Sequence, residues 1–215
     1  MGGVVYLLKV DSGPYCLFNL DGFMYYARFE SVADYVFRFD TRIYLGDHKL
    51  DESGECVGAI VGKNPGSARL RQLGVLAPLD LHGDKMLPFV RNRFVAAYEK
   101  AGKAFPPNAF VQVWNLFYLC NADLGAACTA INSFANPPLC STEGRKLKVV
   151  WFAWGGDDSR LNPFKCRFIS GQQGGFYYSG ITKSIVILTP SASDFAKHTQ
   201  GMPKRPVVNH LAGVL

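Results

Sequence analysis

The sequence predicts an α/β protein: a three-layer α/β/α fold around a central four-stranded parallel sheet, with an antiparallel β extension at the amino end. Three observations carry that expectation. Four apolar runs, at 56–62, 110–116, 148–154 and 184–188, are near-continuous rather than alternating, as strands buried on both faces are. The segments between them carry helical spacing or loop composition, the alternation that builds a parallel sheet. Before residue 55 the style differs, with short β-rich runs broken by tight-turn dipeptides. The division follows as 1–54, an extension packed on the main domain, and 55–215, the α/β domain.

In chain order, residues 4–10, 15–20 and 23–29 read as short strands separated by Ser12-Gly13-Pro14 and Asp21-Gly22, the second a strong hairpin signal. Tyr35 to Phe39 and Arg42 to Leu45 continue the pattern up to the turn-rich Asp47 to Gly54. Cys56 to Gly62 is the first apolar strand. Residues 86–103 place Phe89, Phe94, Ala97 and Tyr98 at helical spacing and stop at Gly102, which predicts a helix. The Ala-rich 122–133 predicts a weaker one. Residues 155–180 hold six glycines and few aliphatics, which reads as a long loop or a twisted hairpin.

Composition narrows the function classes. At 215 residues the chain can bury a full core without staples. Its six cysteines, at 16, 56, 120, 128, 140 and 166, form no Cys-x-x-Cys pair and no zinc spacing with His, so free thiols in a reducing cytosol are expected, with no metal and no cofactor. The amino terminus has no basic n-region and meets Lys9 and Asp11 early, and no run reaches membrane-spanning length; a soluble, cytoplasmic protein is expected. Met-Gly is followed by Tyr6 where a myristoylation signal wants Ser or Thr. Net charge is +6 and uneven: residues 1–55 hold 5 basic and 9 acidic side chains, 56–144 hold 8 and 5, and 145–215 hold 10 and 3. A basic face built mainly by the last third points to a polyanion as partner.

In an open α/β sheet, ligands bind outside the carboxyl ends of the strands, so the residues just past each strand belong together. They are Lys63-Asn64-Pro65-Gly66, Asn115-Leu116, Trp154-Gly155-Gly156 and Thr189-Pro190-Ser191-Ala192-Ser193. In this order they resemble the uracil-DNA glycosylase superfamily, particularly its mismatch-specific and thymine-DNA glycosylase branch. Gly62-Lys63-Asn64-Pro65-Gly66 is similar to that branch's Gly-Ile-Asn-Pro-Gly, and Arg91-Asn92-Arg93-Phe94 to the Asn-Arg-Phe-Trp that opens its next helix. Val111 to Asn115 resembles the strand that carries a base-reading Asn, Trp154-Gly155 a strand-end Trp-Gly, and Thr189 to Ser193 a Pro-Ser turn that grips the minor groove. The chain also resembles a bacterial and phage family of unknown function, DUF1643, at Lys63 to Ala68, Asn115 to Phe117, Ala153 to Gly155 and Gly201 to Pro206. Two departures stand out. Lys63 replaces an apolar residue of the first motif, and Arg205 stands where the second family shows His.

The glycosylase resemblance implies excision of a pyrimidine base, modified or not, from duplex or locally opened DNA, in base-excision repair or anti-phage defence. Such an enzyme flips its base and passes through an oxocarbenium-like state. Asn64 would hold the water, with Lys63 and His198 assisting the departing base. Asn115 would read the base edge, Gly62 would let it approach, and Phe89, Phe117 or Tyr118 would stack on it. Ser191, Ser193, Lys197, Lys204 and Arg205 would contact phosphates, and Phe195 would fill the hole left by the flipped base. His210 is a further imidazole near the carboxyl end. Each position also has a structural reading: Asn64 as a turn residue, Asn115 as a strand cap, Lys63 as an exposed turn lysine, the rings as core. At the level of the whole chain the alternatives are a nucleic-acid or nucleotide-binding module without chemistry, or a hydrolase of free nucleotides.

Overall fold

The structure is a computed structural model and describes residues 6–7, 17–18, 23–49, 53–66, 72–156, 158–172 and 174–215. The turns expected at Ser12-Gly13-Pro14 and Asp21-Gly22, and Ser67-Ala68 of the first motif, lie outside the described residues. In chain order the strands are β1 (Tyr6–Leu7), β2 (Leu17–Phe18), β3 (Tyr25–Val32), β4 (Tyr35–Tyr44), β5 (Cys56–Gly62), β6 (Leu76–Pro78), β7 (Phe110–Asn115), β8 (Val150–Phe152), β9 (Phe176–Tyr178) and β10 (Ile185–Val186). The α-helices are α1 (Met86–Ala101), α2 (Leu124–Asn132), α3 (Asn162–Gly171) and α4 (Lys204–Val214).

β1 and β2 pair with each other. The other eight strands form one sheet in the order β10-β9-β8-β5-β7-β4-β3-β6. This corrects the expected central four-stranded parallel sheet, because the sheet is mixed: β9, β8, β5 and β7 run parallel to one another, while β10 and the β4-β3-β6 side pair antiparallel. The run at 184–188 was read as a parallel strand and is instead the antiparallel edge. Residues 155–180 are a second correction. They contain a 3-10 turn at Ser159–Leu161, helix α3 and strand β9. Only Lys165 and Phe168 of this helix are fully buried, with Phe164 and Ile169 packed partly against the same core, Pro163 sits in its first turn, and the glycines fall at or beyond its ends, so composition hid the periodicity.

Successive residues of the strands alternate between two cores. Ile60, Val111, Val113, Trp151 and Phe176 face α1 and α4. Ala59, Val61, Trp114, Phe152, Trp154 and Tyr177 face α2 and α3. Three tryptophans are fully buried in these layers, and truncating any one to Ala costs about 3–5 kcal/mol. Helix α1 stops as expected, with Gly102 at φ 66° donating to the Glu99 carbonyl. Asp123 caps α2 by accepting the Ala126 N–H.

The amino-terminal hairpin β3–β4 is continuous with the main sheet through β4 and β7. A bulge in β4 decides which way its side chains point. Tyr26 pairs with Arg42 but Arg28 with Phe39, and the extra residue, Asp40, has φ 45°. One inserted residue reverses the alternation. Phe37 and Phe39 therefore face α2 and α3 while Ile43 and Leu45 face α1, and Arg38 is left on the α1 side of the sheet.

Candidate functional site

A cleft of about 640 Å³ opens beyond the carboxyl end of β5. Its lining comes from four places: Lys63 to Gly66 after β5, Gly83 to Met86 and Phe89 at the start of α1, His198 to Gly201, and Arg38 of β4. The sequence-predicted Lys63, Asn64, Phe89 and His198 are thus brought together.

Asn64 is fixed by one bond, from Nδ2 to the Asn121 carbonyl at 2.7 Å. That bond orients the amide and leaves Oδ1 as the acceptor it can offer a ligand or water. Lys63 is no exposed turn residue. Its side chain crosses Gly155, where an added Cβ would stand 2.8 Å from Cε and 3.1 Å from Nζ. Gly155 also has φ 93°, so its backbone strains any larger residue, and a Cβ there would push the Lys63 tip aside.

His198 reaches the cleft because the strand-end loops hold its segment down. Gly155 N donates to the Ala196 carbonyl at 2.7 Å, and Lys197 N to the Tyr178 carbonyl at 2.9 Å. The His198 Nδ1 accepts the Gln200 N–H at 3.3 Å, which places the proton of the neutral ring on Nε2 as a donor. Burial first, then the Lys63 ammonium, hold the imidazole below its ordinary pKa, so it is uncharged at neutral pH.

Asn115 sits at the end of β7, paired in register with Gly62. It is fully buried, and neither Oδ1 nor Nδ2 has a hydrogen-bond partner. A Cβ at Gly62 would lie 3.1 Å from that Oδ1 and 3.6 Å from Sδ of the cleft-lining Met86, so the amide and Gly62 lie behind the cleft wall, outside the residues that line it. The strand end is braced from behind. Arg167 donates to the Asn115 and Leu116 carbonyls at 3.2 and 3.0 Å while pairing with Glu143 at 2.7 Å.

Other expected site residues lie elsewhere. Phe117 and Tyr118 are core residues on the α2/α3 side and take no part in the cleft, because β7 delivers them past its end to the opposite face; Trp154 is buried there too. Phe195 packs its ring over Gly180 and Gly156 instead of projecting as a wedge. Ser191 and Ser193 are exposed, with hydroxyls 3.2 Å apart, but the Asp194 carboxylate already accepts the Ser191 N–H at 2.7 Å, where a phosphate was expected. The turn is tied to α3 by Lys165, whose ammonium donates to the Ala192 carbonyl at 2.7 Å. Lys204 and Arg205 are exposed at the start of α4, Lys197 is half-buried, and His210 packs against Phe176. Arg91 bonds the Tyr44 and Leu45 carbonyls, and Arg93 stacks 4.6 Å over Phe89, so that motif seats α1 and steadies the ring facing the cleft.

Three charged cleft residues escaped sequence reasoning. Asp84 accepts the Met86 and Leu87 N–H groups at 2.7 and 3.2 Å, an N-terminal helix signal readable from its place before the periodic run. Lys85 follows it. Arg38 is 1% exposed, with Nε and Nη1 unpartnered, and its only signal was a charge inside the apolar run Tyr35 to Phe39.

Among the described residues, no helix is long and apolar enough to cross a membrane, and no cluster of three His, Cys, Asp or Glu could hold a metal ion. No family model, curated protein or solved structure matches the chain.

Proposed function

We propose that this chain is a DNA glycosylase, which flips a pyrimidine or modified pyrimidine base into the cleft and hydrolyses its N-glycosidic bond. One observation carries the reading: two side-chain amides stand at the ends of the adjacent parallel strands β5 and β7. One is tethered with a free acceptor, and the other is buried without a partner. A base edge offers the donor and acceptor that the Asn115 amide lacks, in either orientation of a pyrimidine. Phe89 supplies a ring for stacking, and about 640 Å³ falls within the roughly 300–1,000 Å³ of ligand clefts, which leaves room for a substituted base.

In that reaction Asn64 Oδ1 accepts a hydrogen bond from water and aims its oxygen at the sugar C1′. The C1′–N bond breaks with its electron pair going to the base, water oxygen bonds C1′, and the displaced proton leaves to solvent or to the base. Lys63 and the His198 Nε2–H stabilise charge developing on the departing base. An amide positions water without removing its proton, so turnover is slow.

A second reading has its own support. Among the described residues the one carboxylate lining the cleft, Asp84, accepts two backbone N–H groups at the start of α1, and no lining residue among them offers a free carboxylate as a base. That arrangement also suits a nucleotide or nucleic-acid binder without chemistry.

Duplexes containing uracil, thymine mismatches, hydroxymethylated or glucosylated cytosine, and phage genomic DNA separate the two when assayed for alkali-labile abasic sites. Product from the wild type, with a loss of about 10²–10⁴-fold in Asn64→Ala, supports the enzyme. Salt-dependent binding without product on any substrate supports the binder.

A further inference from the structure

Arg38 carries a permanent positive charge, yet it is 1% exposed and neither Nε nor Nη1 has a hydrogen-bond partner. It forms no ion pair with a described carboxylate. Two half-buried arginines of the same fold have a carboxylate, Arg42 from Asp40 at 2.7 Å and Arg167 from Glu143 at 2.7 Å, while buried Arg93 has the Phe89 ring beneath it. A buried cation left alone is costly unless an anion completes it, and Arg38 lines the cleft.

The groups around it are of one kind. Lys63 lines the cleft from the β5 turn, Lys85 from the start of α1, and His198 brings a neutral N–H donor. Against these cations stands one carboxylate, Asp84, whose Oδ1 is taken by two backbone N–H groups. Among the described lining residues, three cations and one carboxylate leave two positive charges, the complement of a phosphomonoester dianion. A guanidinium fork grips two phosphate oxygens at once, and donors arriving from separate elements suit a tetrahedral group better than a planar carboxylate.

We propose that Arg38, with Lys63 and Lys85, forms a receptor for a terminal phosphate group, carried either by a free 5′-mononucleotide or by the 5′ end of a strand. The subsite holds whether or not a base is cleaved beside it.

Calorimetric titration at constant ionic strength tests it with inorganic phosphate, a 5′-mononucleotide, the matching nucleoside, and one oligonucleotide with and without its 5′ phosphate. Inorganic phosphate and the mononucleotide are expected to bind and the nucleoside to bind more weakly than its nucleotide. Arg38→Met is expected to weaken phosphate about 10–100-fold. Lys63→Met, on a different element, is expected to weaken it about tenfold and serves alone if Arg38→Met does not fold. Phosphate binding no stronger than chloride, or undiminished in the folded variants, overturns the proposal. Preference for the mononucleotide identifies the free ligand, and preference for the phosphorylated oligonucleotide identifies the strand end. A cleavage assay that fails while phosphate still binds removes only the glycosylase reading.

Discussion

Lys63 lies across the face of Gly155, with Cε 2.8 Å and Nζ 3.1 Å from where a Cβ would be. The end of β8 therefore decides where the cleft's lysine points. Gly155→Ala must displace that side chain and place a Cβ at φ 93°. The expected outcome is a loss of about 1–2 kcal/mol in stability from the backbone alone. Its ligand affinity should fall as far as that of Lys63→Ala, and the double variant should fall no further. Additive losses in the double-variant cycle would show that the two residues act separately.

Asn115 holds two unpartnered polar atoms in the interior, a cost the folded protein bears without return from its own chain. Asn115→Leu keeps the branched shape and removes the polar atoms, so chemical denaturation should show stability raised by about 1–3 kcal/mol. The same variant should lose discrimination between bases in binding or cleavage. A less stable Asn115→Leu would mean the amide is satisfied in the folded state.

The Arg167 to Glu143 pair braces the carbonyls of Asn115 and Leu116. Glu143→Gln leaves a half-buried guanidinium without its charge partner. A loss of about 2–3 kcal/mol is expected in urea, less than the roughly 3–5 kcal/mol of a fully buried pair, because Arg167 keeps a quarter of its side chain exposed. Arg167→Ala should cost as much and also weaken base binding through Asn115.

His198 and His210 both have their pKa lowered below the ordinary 6.5, by burial first. The unfolded chain then binds more protons than the folded one between the folded value and 6.5, so stability is full above 6.5 and falls as pH drops through that window. Denaturation midpoints measured from neutral pH down to acid should decline on this course. His198→Gln should flatten part of the decline. A wild-type profile that His198→Gln leaves unchanged would place the titration elsewhere.

Much of this molecule was legible in its sequence because local chemistry dictated it. The apolar runs fixed β5, β7 and β8, the spacing of Phe89, Phe94 and Ala97 fixed α1, and Gly102 ended it. The Asn-Pro turn after β5 marked the cleft, since a parallel strand must end where ligands can approach. What no local signal carried was direction. Helix α3 hid among glycines because its buried stripe is thin, and the sheet's mixed character arose from which strand neighboured which, a matter of long-range pairing. The Asp40 bulge reversed one strand's alternation and left Arg38 facing α1. Phe117 and Tyr118 went to the opposite core from the cleft. By itself the sequence determined β5, β7, β8, α1 and the turn that opens the site, because those depend on periodicity and backbone chemistry within a few residues. Only the tertiary structure decided which charges line that site, because a side chain's face and partners are set by the register of strands distant in the chain.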